Sequence, residues 1–346
     1  MRKPEPKEVK KFFGRMLAFT IITASIITVT VLLDQFGPPN RVYSDSQFNF
    51  GPFDPSERDS NVLIDQHSHT IYSDGLLTPK QNVLWHIAHG FNACILTDHH
   101  TIQGALEAKE YAEQNHAGEF IVIVGQEWNN DRIHMNFLGI NTVIPAQYGA
   151  PSDEDIKNVI KKVHDQGGLV TVNHIPWSLR EPWAANHPNQ TELWNWGVDF
   201  IEIVNGAEYD EYSDDFINTT ATNMSKITGT DMHSPKNVHC WTQLNVSSLT
   251  EANIMTELAA GNTAMIYNGS VSIDETGEGQ GNPAYEILKL PMWFGDVFED
   301  IYYGGIETIV IALLYLFGVF FTAEALRILK RKYWAFINAR KASKSS

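Results

Sequence analysis

Residues 64–79 read Ile64-Asp65-Gln66-His67-Ser68-His69-Thr70-Ile71-Tyr72-Ser73-Asp74-Gly75-Leu76-Leu77-Thr78-Pro79, and their reading decides the fold. Val62–Ile64 has the character of a buried strand reaching its end. His67 and His69 are two apart, so on extended backbone both imidazoles leave the same face. Asp74 adds a hard oxygen ligand after a turn that Gly75 permits. Thr78 and Pro79 then suit the N-cap and first position of a helix. The stretch is therefore one βα unit with half a metal site at its carboxyl end. Alone, such a His-x-His would be read as two solvated histidines; the rest of the chain argues otherwise.

Working outward, short β-rich runs alternate with helical stretches, which predicts parallel βα units. Strands are expected at Val62–His67, Ala93–Thr97, Phe120–Gly125, His134–Ile140, Leu169–Asn173, Phe200–Val204 and Lys226–Thr230. Helices are expected at Pro79–His89, Ile102–Gln114, Asp153–Gln166 and Thr250–Ala260, the third with Ser152 as N-cap and Asp155 three residues on. Such a series fits an α/β barrel related to the (β/α)₈ type, whose chemistry gathers at the carboxyl ends of the strands. Polar clusters fall at those ends: Thr97-Asp98-His99-His100-Thr101, Gly125-Gln126-Glu127, Asn173-His174 and Gly229-Thr230-Asp231-Met232-His233, with His134 opening a strand. Any one could be a satisfied core histidine or a helix cap. Five strand termini all carrying ligand types predict metal binding.

Taken together these motifs resemble the PHP family, the polymerase and histidinol phosphatase domain, over about residues 62–240. The resemblance rests on His67-Ser-His69-Thr…Ser73-Asp74-Gly75, Thr97-Asp98-His99-His100-Thr101, Glu127, His134, His174 and Gly229-Thr-Asp231-Met-His233. It implies a distorted (β/α)₇ barrel holding two or three divalent ions. One ion would take His67, His69, Glu127 and Asp231; a second Glu127, His134 and His174; a third Asp74, His99 and His233. His100 stands where many members have Asp. Independently of the family, mixed imidazole and carboxylate ligands suit Mn²⁺, Zn²⁺ or Fe²⁺. Clustered ions of that kind generate hydroxide near neutral pH, here expected between Glu127 and Asp231, and clamp the oxygens of a phosphate ester.

The ends of the chain have a different character. Met16–Leu33 holds no charged residue and Thr308–Ala323 is a second uncharged run with Glu307 and Glu324 at its margins, both near the roughly 20 residues that cross a hydrocarbon core. Two transmembrane helices are expected, at 16–33 and 301–326, the first an uncleaved anchor because no small-x-small cleavage pattern follows it. Basic tails at 1–15 and 327–346 place both ends in the cytoplasm and the body outside, in the periplasm or its equivalent. Residues 34–60 and 266–300 are expected as linkers around a barrel at 61–265. Cys94 and Cys240 form neither a zinc-finger spacing nor a disulfide framework.

Between 16 and 326 stand 12 Lys/Arg against 39 Asp/Glu, a net charge of −27. A body so acidic repels a polyanion, and no basic stripe tracks a nucleic-acid backbone. The expected activity is therefore metal-dependent hydrolysis of small phosphorylated molecules, nucleotide-like among them, by a protein whose other partner is the lipid bilayer. A nuclease acting on DNA or RNA ends, a barrel hydrolase of amides and a non-catalytic metal-binding envelope protein are the alternatives. Arg132 and Arg180, close to His134 and His174, are candidates to grip a phosphate bidentately, against the plain reading of surface ion pairs. Trp177, Trp183, Trp194 and Trp196 could form a stacking wall for a nucleobase or touch the bilayer, although tryptophans under a long loop more often fill space.

Overall fold

The computed structural model describes residues 6–342 apart from 182–185, 222 and 304. In chain order the elements are α1 (Pro6–Phe36), β1 (Arg41–Val42), β2 (Val62–Asp65), α2 (Pro79–Ala88), β3 (Ala93–Leu96), α3 (Gln103–Asn115), β4 (Ile121–Asn129) and β5 (His134–Leu138). There follow α4 (Asp153–His164), β6 (Leu169–Val172), α5 (Ile175–Ser178), α6 (Gln190–Trp196), β7 (Phe200–Asn205), β8 (Glu208–Tyr209), α7 (Glu211–Thr219) and β9 (Ser225–Gly229). The chain ends with β10 (Val238–Leu244), α8 (Glu251–Ala259), β11 (Ala264–Ser272), β12 (Gln280–Gly281), α9 (Pro283–Tyr303) and α10 (Gly305–Ala342). Pro39–Asn282 forms one compact unit; residues up to Pro38 and from Pro283 onward form another.

The α/β unit is built on a sheet with the path β11-β10-β2-β3-β4-β5-β6-β7-β8, with β9 on β7. All seven expected strands are present, but the (β/α)₇ barrel is an open, curled sheet rather than a closed ring of parallel strands. Pairs β2–β3, β3–β4, β6–β7 and β7–β9 are parallel, whereas β4–β5, β5–β6 and β10–β2 are antiparallel. Only Asn130–Ile133 separate β4 from β5, too few residues for a crossover helix, so β5 must return antiparallel. At the seam, β9 meets β10 through side chains: Thr228 N–H donates to Thr242 Oγ1 at 2.9 Å. Beyond it Asp231 N–H donates to the His67 carbonyl at 2.8 Å, tying the last ligand cluster to the first.

Alternation divides each strand between two apolar layers. Leu63, Cys94, Leu96, Val122 and Val124 join the larger buried cluster, while Ile64, Ile95, Ile123, Phe200 and Ile227 join a second that includes Ile254 and Leu258 of α8. Each such side chain, buried fully, stabilises the fold by roughly 1.5–3 kcal/mol. Both expected N-caps form: Thr78 and Ser152 each accept from the main chain three residues on, and Gln81 and Asp155 reach back. Cys94 and Cys240 are buried free thiols.

Two segments expected as linkers carry structure. Residues 34–60 contribute β1 and the buried Phe48, and Arg58 donates to the Ser60 and Asn61 carbonyls and to Asn92. Residues 266–300 contain most of β11, paired with β10, and most of α9.

The second unit is helical. α1 and residues Ile306–Arg340 of α10 are long and apolar enough to cross a membrane. They run antiparallel: Phe12 lies 5.7 Å from Phe320 between ring centres, Arg15 Nε and Nη2 donate to Glu324 at 2.6 and 2.7 Å, and Arg331 donates to Glu8 at 3.1 Å. The described parts of both basic ends therefore sit at the same end of this helix pair.

Candidate metal centre

The nine residues expected as ligands come together around Glu127. β4 runs on to Asn129, so Glu127 is a strand residue, fully buried, rather than part of a loop. Its Oε2 lies 3.2 Å from His67 Nε2, 3.3 Å from His69 Nε2 and 3.4 Å from His99 Nδ1. Its Oε1 lies 3.3 Å from His134 Nδ1 and 3.4 Å from His174 Nε2. Asp231 Oδ1 stands 3.3 Å from both His67 Nε2 and His69 Nε2 and 3.4 Å from His233 Nδ1. Asp74 faces His233, His99 and His69 at 3.2, 3.5 and 3.7 Å. His67 and His69 are wholly buried with rings 5.2 Å apart, as their two-residue spacing requires.

The backbone is bent to bring them there. Four non-glycine residues among those described have positive φ; two are ligands, His174 (30°) and Asp231 (53°), and a third, His100 (57°), directly follows the ligand His99. Such conformations cost of order 1–3 kcal/mol each and persist where the surroundings impose them.

A second ring of polar groups holds the first, and sequence reading missed it. Glu202 accepts from His67 Nδ1–H at 3.0 Å, from Gln66 Nε2 at 2.8 Å and from the His174 amide at 2.9 Å. Asn173 Nδ2 donates to Glu127 Oε1 at 3.0 Å, and Asn205 Nδ2 to Asp231 Oδ2 at 3.2 Å. Asp98 accepts from the Thr70 amide and from Ser73 Oγ, fixing the loop that carries Asp74. One signal was available: Glu202 is a lone acid inside the apolar strand Phe200–Val204, and a charge there needs a partner.

The atoms fit a metal cluster better than a set of salt bridges. His67 gives its Nδ1–H to Glu202, so a neutral ring turns a bare Nε2 lone pair toward Glu127 and Asp231. Lone pairs facing carboxylates repel unless a cation lies between them. Likewise His69 Nε2 and His99 Nδ1, buried and close to Glu127, make no hydrogen bond. Three groups of donor atoms fall within one ion's reach: His69, Asp74, His99 and His233; His67, His69 and Asp231; and His67, Glu127 and His174. With protons alone as the counter-charge, burial works against ionising Glu127, yet the imidazoles of His67 and His99 hold it well below the usual carboxylate range. Burial likewise opposes a charged His67, but Asp231, Glu202 and Glu127 raise it well above the usual imidazole range. Both shifts mark a pocket that demands positive charge.

The remaining candidates fall outside this ring. Arg132 donates to the Asn186 and Pro151 carbonyls at 2.7 and 2.8 Å and pairs with Asp153, so its guanidinium ties loops together rather than reaching for a phosphate. Arg180 forms a two-pronged ion pair with Glu208. The His100 ring packs edge-on against Tyr148, with centres 5.8 Å apart, and burial pushes its imidazole down to about 4. Trp194 donates to Asn223 and packs on Phe216, and Trp196 lies under Arg132 and Lys157; both are spacers. Trp183 lies outside the described residues. Trp177, partly exposed, stands edge-on to His174 at 4.9 Å and 5.7 Å from His134.

Comparison with known proteins agrees with this geometry. Residues 65–230 match the PHP domain family. No curated protein matches the chain in sequence. Among solved structures, a two-domain protein of Bacteroides vulgatus containing a PHP-like metal-dependent phosphoesterase shares 21% identity at a TM-score of 0.51, covering 62% of this chain and 68% of that one. A protein of Bifidobacterium adolescentis described as a metal-dependent phosphoesterase shares 16% at a TM-score of 0.40, covering 52% and 90%. A lesion-specific endonuclease of Pyrococcus furiosus shares 14% at 0.36, covering 61% and 57%. The first of these likenesses is one of fold, and the other two are too distant in shape to carry an argument. Residues 65–230 are thus similar to a PHP domain, and most of the open sheet and the ring of imidazoles about Glu127 lie in that same stretch of the chain.

Proposed function

We propose that the chain is a membrane-anchored, metal-dependent phosphoesterase acting on small phosphorylated molecules. The observation that carries this reading is the convergence of six imidazoles and three carboxylates around the buried Glu127, with His69 Nε2 and His99 Nδ1 facing its carboxylate and making no hydrogen bond. His67, His69, Glu127 and Asp231 would hold one divalent ion. Glu127, His134 and His174 would hold a second, and Asp74, His99 and His233 a third. Such ions, Mn²⁺, Zn²⁺ or Fe²⁺, supply a nucleophile at neutral pH and neutralise the charge of a phosphate ester. The chain's own residues orient the site. Glu202 fixes the tautomer of His67, while Asn173 and Asn205 fix the rotamers of Glu127 and Asp231.

Two features support a small substrate. The body carries −27 between residues 16 and 326, which disfavours a polyanion. Trp177 offers an aromatic edge beside His174, suited to a nucleobase or a similar flat group. The antiparallel pairing of α1 with α10 supports a topology with both ends in the cytoplasm and the PHP domain on the opposite side.

The full-length chain in detergent, loaded with Mn²⁺ or Zn²⁺, is to be tested on mononucleotides, nucleoside bisphosphates, sugar phosphates and short oligonucleotides. Phosphate release from small esters alone is expected. Shortening of oligonucleotides would move the chain to the nucleases, and silence throughout would sink the enzymatic reading.

A further inference from the structure

A phosphate held by metal ions still presents oxygens that face away from them, and most hydrolases meet those with a fixed cation. The two arginines nearest the ligands in sequence are spent on other partners. Lys236 is placed differently. It follows His233 by three residues, and its Nζ donates to the main-chain carbonyl of Asp231 at 2.7 Å. That bond holds the ammonium beside the last ligand cluster. A Cβ at Gly206, just beyond β7, would lie 3.8 Å from Nζ, so the amine sits at the carboxyl ends of β7 and β9, the same end as the site. Asn205, adjacent to Gly206, donates to Asp231 Oδ2. Among the described residues no carboxylate lies within ion-pair distance of Lys236, although the body is strongly acidic. An ammonium has three donors, and one is used.

We propose that Lys236 is the phosphate-binding cation of this site, its free N–H groups reaching a non-bridging oxygen of a phosphate monoester while the Asp231 carbonyl holds it in place. The inference rests on the phosphoesterase reading for its setting but concerns an anion subsite that can be measured without turnover. It also has a consequence for selectivity. A dianionic monoester gains more from an added point charge than a monoanionic diester does, so Lys236 favours terminal phosphates over internal linkages.

The test uses full-length protein in detergent, Lys236→Met and Lys236→Arg, with bound metal measured by elemental analysis and inorganic phosphate binding measured by calorimetry. Lys236→Met is expected to weaken phosphate binding by roughly 10- to 100-fold with metal content unchanged, and Lys236→Arg to recover most of it. Equal phosphate affinity in wild type and Lys236→Met would overturn the proposal. So would loss of metal from Lys236→Met, which would make the lysine a support for Asp231, or absence of phosphate binding by the metal-loaded wild type. Failure of the wild type to hydrolyse any ester, with phosphate still bound through Lys236, would count against the phosphoesterase reading and leave the subsite standing.

Discussion

Two of the domain's buried clusters of imidazole and carboxylate differ in kind, and only one of the two has the makings of a metal site. In the other, His89 Nδ1 lies 2.6 Å from Ser272 Oγ and its Nε2 lies 3.1 Å from Asp274 Oδ2, which also accepts from Trp85 Nε1 at 2.8 Å. Every polar side-chain atom of His89 is matched, and the cluster joins the end of α2 to the segment after β11. Around Glu127 the count is reversed: donors of lone pairs outnumber the protons available, and His69 Nε2 and His99 Nδ1 stay unmatched. A Ser–His–Asp alignment with a buried hydroxyl is here a fastener, whereas a surplus of unmatched nitrogens marks a place for a cation. What separates the two is hydrogen-bond accounting, not composition.

The sharpest way to break this contrast is Glu127→Gln. Glu127 touches five imidazoles, and the amide removes the charge at the centre of them. Bound metal measured by elemental analysis should fall, and ester hydrolysis should drop by about 10³-fold or more. Retention of full metal content would mean that the ring is a network of salt bridges.

A quieter change should act on the same site from behind. A Cβ at Gly229 would collide with Glu202 Oε1 and lie 2.6 Å from His67 Cβ. Gly229→Ala should therefore push Glu202 off His67 and weaken metal binding by roughly 10- to 100-fold, the usual cost of losing a ligand's outer partner. Gly118→Ala is the control, since its Cβ meets nothing within 4 Å and only its φ of +79° is strained. It should lower Tm while leaving metal affinity alone.

The fastener should respond in the opposite sense. Asp274→Ala strips partners from His89 and Trp85, so it should destabilise the fold by about 2–4 kcal/mol in chemical denaturation, with metal content per folded molecule unchanged. Its pH dependence is also distinct. Burial depresses the His89 imidazole despite Asp274, so the unfolded chain binds the proton more tightly. The stability that neutral His89 contributes is complete above its unfolded value near 6.5 and is lost as pH falls below it. The Tm of the wild type should fall further between pH 7 and pH 5 than that of His89→Gln, and parallel curves would remove this account.

The same contrast explains what the sequence revealed. Ligands at strand ends announce themselves, because His67 and His69, Asp74, His99, His174, Asp231 and His233 all follow apolar runs that could not otherwise use them. Glu127 was legible as a residue, although its place inside β4 was not, since Trp128 and Asn129 look like loop. The supporting Asn173 and Asn205 are amides at strand ends, indistinguishable in sequence from turn formers. β10 and β11 escaped for another reason: His239, Thr242 and Gln243, then Asn268, Gly269 and Ser270, interrupt the apolar alternation, and the strands are set by pairing, β10 on β2 and β11 on β10, rather than by local propensity. The open seam was illegible because it depends on Thr228 and Thr242 meeting across 14 positions of sequence.

The smallest expected effect concerns Arg180, the arginine that sequence proximity to His174 made attractive. Its guanidinium grips both oxygens of Glu208, and both side chains are exposed. Ion pairs of this kind contribute little, because water screens them and two long side chains must be held still. Arg180→Ala should leave Tm unchanged and kcat/KM within about twofold, whereas Lys236→Met should not. A large loss in kcat/KM from Arg180→Ala would mean that substrate draws Arg180 away from Glu208, and it would give the phosphate a second cation on the rim.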